Sequence, residues 1–258
     1  MQNLKVTLIQ TKIFWEDKKK NFEHFGNKIE SIKEKTDLII LPEMFSTAFT
    51  MNASKLADEP EGDAYNFLKY HSTKKKVYIC GSVIIKEKGK YYNRLLLSSP
   101  TRKIFHYDKR HLFRIGKEHL VYSAGEKQLI VKIKDWRVAF YICYDLRFPV
   151  WIRNKNSYDL SVFVANWPEI RAFPWKTLLL ARAIENQTFV AGANRIGKDG
   201  NGIMCSGDSA VINPLGEYVI NAKRKDGIFT AELSHKVLTE YRKNFPAYKD
   251  ADKFEIKK

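Results

Sequence analysis

The sequence predicts an α/β protein built as a four-layer αββα sandwich, in which two mixed sheets face each other and helices lie outside. Two observations support this prediction. The apolar pattern gives about a dozen strands and four or five helices, which is too many strands for one flat parallel sheet. The connections are of two kinds, because a strand–helix–strand unit opens the chain and a hairpin follows it.

The chain opens with the strand–helix–strand unit. Leu4–Gln10 alternates and then becomes apolar, which predicts a first strand, and Asp37–Pro42 predicts a second strand that proline ends. A right-handed crossover between them makes these strands parallel. Lys18–Lys33 predicts the intervening amphipathic helix, whose apolar face repeats every three or four residues, at Phe22, Phe25, Ile29 and Ile32.

The next elements introduce antiparallel pairing. Glu61–Thr73 predicts a second helix, and Val77–Ile85 predicts a third strand. A short Ser-Pro turn separates Tyr91–Ser98 from Thr101–Tyr107, so these two stretches predict a hairpin. The following loop, from residue 109 to about residue 125, is long for a plain connection, and we expect it to carry function.

The second half returns to strands, with one long helix over Trp175–Asn186 that Pro174 opens. The tail Val237–Lys258 starts as a helix and ends rich in lysine, so we expect it outside the core, either loose or against a partner subunit. No linker divides residues 1–258, which indicates a single domain. The predicted strands are Leu129–Ile133, Arg137–Ile142, Leu160–Val164, Phe189–Asn194, Gly207–Ile212, Tyr218–Ile220 and Gly227–Leu233.

Composition argues against several classes of protein. With 44% hydrophobic residues the chain can bury a sizeable core, unlike a disordered protein. Its apolar runs stay well below the roughly 20 residues that span a bilayer, so we expect no membrane partner. The N-terminus lacks the apolar core of a signal peptide, which predicts a cytoplasmic protein.

Charge and cysteine content argue against two further classes. The net charge is 45 − 29 = +16, but the lysines form small scattered clusters without a nucleic-acid motif. We therefore expect a solvated basic surface and no nucleic-acid partner. Cys80, Cys143 and Cys205 lie far apart, with no C-x-x-C pair and no histidine at ligand spacing. This pattern argues against a disulfide framework and a zinc site, and we expect neither a metal nor a cofactor.

Polar residues that follow apolar strands suggest a catalytic site. Glu43 follows the second strand, Lys109 follows the hairpin, and Cys143 follows the apolar strand Arg137–Ile142. Ligands of α/β sheets collect beyond the carboxyl ends of strands. A cysteine nucleophile needs an adjacent base, which Glu43 can supply, and acyl transfer needs donors for the oxyanion, which Lys109 and the backbone N–H of Tyr144 can supply.

These motifs give a resemblance to the nitrilase superfamily of carbon–nitrogen hydrolases. The matching stretches are Leu-Pro-Glu43, Tyr-Asp-Lys109-Arg-His-Leu-Phe and Cys143-Tyr-Asp-Leu-Arg-Phe-Pro. The resemblance implies an αββα sandwich and a thioester on Cys143. Other pieces, such as Val164-Ala-Asn-Trp-Pro168, look most like the omega-amidase branch, which hydrolyses monoamides of short dicarboxylic 2-oxo acids. One departure is Val150, where many members carry glutamate.

The resemblance also implies a fourth carboxylate that positions Lys109 and the substrate. Glu118 is our choice and Glu126 the alternative. Arg147 and Arg195 are the candidates for binding a substrate carboxylate, and core pairing is the alternative for Arg147. Phe45 and Trp167 would wall the pocket, unless they only pack in the core. His111 and His119 leave open a cysteine–histidine alternative.

The expected function is hydrolysis of a small-molecule amide with release of ammonia, by a homo-oligomer that is a dimer or larger. Two alternatives stay open at this point. A nitrilase or an N-carbamoyl hydrolase would use the same three residues on another carbon–nitrogen bond. A protein of a different class, a non-catalytic nucleic-acid binder or scaffold, would leave them unused.

Overall fold

The strands of the structure are short and rich in β-branched and aliphatic residues. The computed structural model describes residues 2–256. In chain order the strands are β1 (Leu4–Gln10), β2 (Leu38–Ile40), β3 (Tyr78–Glu87), β4 (Lys90–Ser98), β5 (Ile104–Asp108), β6 (Leu129–Ile133), β7 (Trp136–Ile142), β8 (Leu160–Ala165), β9 (Phe189–Asn194), β10 (Ile196–Lys198), β11 (Met204–Ser206), β12 (Ala210–Ile212), β13 (Tyr218–Asn221) and β14 (Gly227–Leu233).

The helices are fewer than the strands, as expected. They are α1 (Lys18–Glu30), α2 (Ala53–Leu56), α3 (Asp63–Lys75), α4 (Pro149–Ile152), α5 (Ala172–Asn186) and α6 (His235–Asn244). The short elements α2, β10 and β11 were not predicted. Helix α5 starts three residues before Trp175, because a proline in the first turn of a helix needs no backbone donor. Among residues 2–256 no helix is both long and apolar enough to cross a bilayer.

Two six-stranded sheets share one pairing pattern. The first has the order β14-β1-β2-β3-β4-β5, and the second has the order β6-β7-β8-β9-β12-β13. In both sheets the second, third and fourth strands are parallel, and the remaining pairs are antiparallel. Both sheets are therefore mixed, and the predicted fold class is confirmed.

The core lies between the two sheets. One cluster of buried apolar side chains combines residues of the first sheet, such as Leu8 and Leu95, with Val138 and Val162 of the second. A second cluster joins the outer face of the first sheet to α1 and α3. On the other side, α5 packs so closely on β9 that a Cβ at Gly192 would lie 2.8 Å from Leu179. One core is thus shared by the two sheets, and the single domain over residues 1–258 stays a prediction.

The C-terminal helix docks on its own chain. In α6, Leu238 is buried in the core between the sheets, and the guanidinium of Arg242 donates to the carboxylate of Asp159 over 2.7 Å. The expectation that the tail from Val237 lies outside the core is therefore wrong for α6. The end of the tail, Lys257 and Lys258, lies outside the described residues.

Candidate active site

Cys143 lies on a strained turn at the end of β7. It is the first residue of a 3₁₀ turn, Cys143–Arg147, and its φ is +43°, in the left-handed region that a side chain rarely adopts. Such strain persists only where the surroundings enforce it. The carboxylate of Asp145 does so by accepting the backbone N–H of Ile142 over 3.0 Å. Cys143 is partly exposed and lines a cavity, so a substrate can reach it.

Two neighbouring side chains support this turn through Asp145. The buried carboxylate of Asp145 accepts the hydroxyl of Tyr107 over 2.7 Å, and it lies 2.8 Å from Nδ1 of His111. The His111 ring stacks on Phe148 with centroids 3.8 Å apart. His111 therefore holds the turn and does not line the cavity over Cys143, which removes the support for a cysteine–histidine pair.

Glu43 follows β2 and is fully buried, with its carboxylate between three donors. Oε1 accepts the side-chain amide of Asn93 over 2.8 Å and the ammonium of Lys109 over 2.9 Å. Oε2 accepts the backbone N–H of Asn166 over 2.8 Å. Asn166 follows β8, so residues at the ends of parallel strands in both sheets meet at Glu43.

Lys109 lies between two carboxylates. Its Nζ is 2.9 Å from Oε1 of Glu43 and 3.0 Å from Oε2 of Glu118. Glu118 is fully buried, and it also accepts the backbone N–H of Phe113 over 2.6 Å and the amide of Asn93 over 3.1 Å. Glu126, the alternative choice, is exposed and does not line the cavity.

The pKa shifts of Cys143, Lys109 and Glu118 follow from their burial and from the charges beside them. Burial raises the pKa of Cys143 well above its ordinary value, the nearby Glu43 carboxylate raises it further, and the Lys109 ammonium opposes both. For Lys109, burial lowers the pKa, but Glu118 and Glu43 outweigh burial and leave the pKa raised. Burial also raises the pKa of Glu118. The resting thiol therefore keeps its proton beside a carboxylate that can take it, while Lys109 stays charged.

A cavity of about 390 Å³ opens over these groups. Cys143, Glu43 and Lys109 line it, and so do the predicted binding residues Tyr144 and Trp167. Tyr144 is the second residue of the 3₁₀ turn, a position whose N–H has no partner within a helix and can face an oxyanion.

Two arginines also line the cavity, and each lies against an aromatic ring. The guanidinium of Arg147 lies 5.1 Å from the centre of the Trp167 ring. That of Arg171 lies 5.3 Å from the centre of the Phe113 ring. The core pairing considered for Arg147 is absent from residues 2–256, since neither Asp145 nor Glu43 pairs with it. The guanidinium of Arg147 therefore faces the cavity without a carboxylate partner among these residues, as its predicted role in binding a substrate carboxylate requires.

Two predicted binding residues lie elsewhere. The Phe45 ring packs against the rings of Phe22, Phe25 and Phe67 under α1 and α3, where a Cβ at Gly81 would lie 2.8 Å from it. Arg195 is buried, and its guanidinium donates to the backbone oxygens of Ile13 and Lys198 over 3.3 Å. Neither side chain lines the cavity, so both predictions are corrected.

Three contributors were not singled out by sequence reasoning, namely Asn93, Asn166 and Arg171. Asn166 has the signal that identified Glu43 and Cys143, because it follows an apolar strand. Asn93 lies within a strand, and a polar residue at a buried strand position is its only signal. Arg171 has none, because it ends a 3₁₀ turn and does not directly follow a strand.

Comparison with known proteins agrees with the geometry. The family model described as carbon–nitrogen hydrolase matches residues 5–243. The omega-amidase YafV of Escherichia coli is 47% identical over 259 residues, covering 99% of this chain and 100% of the relative. A 2-oxoglutaramate amidase of Bacillus subtilis is 35% identical over 230 residues, covering 87% of this chain and 88% of the relative.

A solved structure extends the comparison. The protein XC1258 of Xanthomonas campestris, described as a CN-hydrolase superfamily protein with an arsenic adduct in the active site, is 41% identical. It superposes with a TM-score of 0.97, covering 100% of both chains. The chain belongs to the carbon–nitrogen hydrolase family, as its motifs implied. Within that family it is an amidase, since relatives with the names omega-amidase and 2-oxoglutaramate amidase match most of its length.

Proposed function

We propose that the enzyme hydrolyses the amide of short dicarboxylic acid monoamides, such as 2-oxoglutaramate, through a thioester on Cys143. The observation that carries this proposal is the set of residues that line one cavity. It holds Cys143 beside a buried glutamate and lysine, and it also holds the cation of Arg147. The names of the relatives support the same substrate class.

Acylation uses Glu43 as a base and then as an acid. As Sγ of Cys143 attacks the amide carbon, the thiol proton passes to Glu43. The negative charge that develops on the carbonyl oxygen is held by the Lys109 ammonium and the backbone N–H of Tyr144. Glu43 then gives its proton to the amide nitrogen as the carbon–nitrogen bond breaks, and ammonia leaves the thioester behind.

Deacylation repeats these roles with water. Glu43 takes a proton from a water molecule, whose oxygen attacks the thioester carbon while Lys109 and Tyr144 again hold the oxyanion. The carbon–sulfur bond breaks, the carboxylic acid leaves, and Cys143 regains its proton. The same three groups serve both halves of the reaction, so no further acid or base is needed.

Glu118 acts as a positioning residue. It accepts from Lys109, from the Asn93 amide and from the N–H of Phe113, so it fixes the ammonium and the loop that carries it. An ammonium group that is buried between two carboxylates keeps its proton, because both negative charges stabilise the charged form. Lys109 therefore stays charged at neutral pH and can donate to the oxyanion.

Substrate choice tests the proposal. A small amide offers little surface, so discrimination needs a polar handle that the cavity pairs with. We expect kcat/KM for succinamate or 2-oxoglutaramate to exceed that for butyramide, which has similar length and no charge, by at least about 30-fold, or about 2 kcal/mol. Equal values would remove the dicarboxylate reading and leave a general aliphatic amidase.

The assembly and the location stay predictions. A homo-oligomer would cover apolar side chains that this chain exposes, among them Ile170 and Phe173 at the start of α5. Sedimentation velocity at micromolar concentration measures the mass directly. A monomer at all concentrations would contradict the prediction. The cytoplasmic location is tested by fractionation of the source cells.

A further inference from the structure

We propose that Arg171 determines substrate specificity, by forming with Arg147 a two-guanidinium subsite for the carboxylate at the far end of the substrate. We call these two residues the carboxylate subsite. This inference rests on the proposed function, because it assumes that the substrate carries an anionic group. It adds a residue that neither the motifs nor the strand ends indicated.

The first support is placement. Arg171 ends the 3₁₀ turn Glu169–Arg171 that links β8 to α5, and its side chain lines the same cavity as Cys143. Its guanidinium lies over the ring of Phe113, and the backbone N–H of Phe113 donates to Glu118. Arg171 therefore rests on the loop that also positions Lys109.

The second support is that the carboxylates near Arg171 and along the cavity already have other partners. Glu169, two residues before Arg171, pairs with Arg224. Glu16 accepts from the side chains of Thr50 and Asn52. Asp199 accepts two backbone N–H groups of its own turn, those of Asn201 and Ile203.

Neither guanidinium of the carboxylate subsite has an ion pair or a hydrogen bond to a side chain within residues 2–256. The aromatic faces orient the two cations but leave their N–H groups available to a ligand. A guanidinium fork matches a carboxylate bidentately, so two such forks in one concave cavity favour an anionic ligand. An uncharged amide would leave both unpaired.

The third support is how the two arginines are attached. Arg147 closes the turn that starts at Cys143, and Arg171 closes the segment that starts at Asn166, the donor to Glu43. The two segments that fix the reacting groups thus also fix the two cations. The subsite therefore sets the distance between the amide and the carboxylate, and so the length of the substrate.

The test compares the ratio of kcat/KM for succinamate to kcat/KM for butyramide in the full-length enzyme. Arg171→Gln removes the charge, and Arg171→Met removes it while keeping an apolar stem on Phe113. We expect both variants to lower the ratio by about 10-fold, because Arg147 remains, and to weaken competitive inhibition by succinate. The matched control is Arg114→Gln, which removes an exposed charge of the neighbouring loop that does not line the cavity, and it should keep the ratio within about threefold.

The outcomes separate the two levels of the proposal. If the wild-type ratio is near one, the proposed function fails, and the subsite fails with it. If the wild type prefers succinamate but the Arg171 variants keep that preference, or lose both activities equally, only the role of Arg171 is overturned. An equal fall for Arg114→Gln would also overturn it, since the effect would then come from the general positive field.

Discussion

Two groups of charged side chains at the cavity are built in opposite ways. The inner cluster, Glu43, Lys109 and Glu118, is at most 1% exposed, and each of its charges has protein partners within 3.1 Å. In the carboxylate subsite, the guanidinium groups of Arg147 and Arg171 lie over aromatic rings and have no ion pair within residues 2–256. Charges that are paired inside the protein fix the positions of the reacting groups, whereas charges without a protein partner at a cavity wall are available to bind a ligand. The difference predicts where a mutation affects chemistry and where it affects specificity.

Energetics sharpen this distinction. Removing one partner of a buried ion pair leaves the other charge uncompensated and costs about 3–5 kcal/mol of stability. Removing a partly exposed cation without a partner costs little, in the range of about 0–1 kcal/mol. Variants of the inner cluster should therefore lose both stability and rate. Variants of the carboxylate subsite should keep their stability.

The largest effect is expected at the nucleophile itself. Cys143→Ala should abolish turnover and leave the fold intact, because no thioester forms and the side chain is partly exposed. With substrate, the wild type should show an acyl adduct on Cys143 by intact-mass and peptide mass spectrometry. Cys80 and Cys205 are buried, whereas Cys143 is partly exposed and lines the cavity, so the other two thiols should stay unmodified. An adduct on either would contradict the assignment.

The second prediction breaks the inner cluster. Lys109→Met should lower kcat/KM by about 100- to 1000-fold through the lost oxyanion donor, and should lower the free energy of unfolding by about 3–5 kcal/mol because Glu43 and Glu118 are left without their cation. The matched variant is Arg147→Met, the same replacement in the carboxylate subsite. Urea denaturation should show a change below about 1 kcal/mol for that variant. Similar losses of stability in the two variants would erase the contrast.

The strand ends explain how much of this site could be predicted from the sequence. Glu43 and Cys143 follow apolar strands, and the structure brings them together as expected. The same rule misplaced Arg195, because a residue directly after β9 can also turn inward, where Arg195 meets backbone oxygens. The direction of a long side chain depends on packing that strand patterns do not contain.

Tertiary packing also explains why sequence reasoning did not single out Asn93 and Arg171. Asn93 faces Glu43 only because the register of β3 and β4 turns it inward, and register is set by tertiary pairing. Arg171 faces the cavity only because a 3₁₀ turn bends there before α5. Sequence patterns gave both sheets and most helices, since hydrophobic periodicity reports burial. These patterns predicted little about the turns, because hydrophobic periodicity carries no information on the direction in which a turn points.

A smaller effect is expected from the pH dependence of Glu118. Burial raises the pKa of its carboxyl, and the charge of Glu43 adds to this, although Lys109 opposes both. Protonation of Glu118 should therefore contribute to the acid limb of kcat/KM above the ordinary glutamate value of 4.5, and Glu118→Gln should lower activity and change the position of that limb. A raised folded pKa means that the folded state binds the proton more tightly than the unfolded chain does. The stability of the wild type relative to Glu118→Gln should thus rise as pH falls through this pKa, while activity falls. An unchanged acid limb in the variant would contradict the assignment.

The smallest effect concerns salt, and it separates the two regions without any mutation. Ions screen exposed charges over about 10 Å at 0.1 M and about 3 Å at 1 M, whereas a buried ion pair is screened much less. With a net charge of +16 and two unpaired guanidinium groups at the cavity wall, the enzyme should attract an anionic substrate. Raising NaCl from about 0.02 to 0.5 M should therefore lower kcat/KM for succinamate about threefold and leave that for butyramide unchanged. In Arg171→Gln the salt slope for succinamate should become shallower, because one of the attracting charges is gone. An equal salt response of the two substrates would mean that salt acts on the inner cluster or on the fold, and the contrast between paired and unpaired charges would fail.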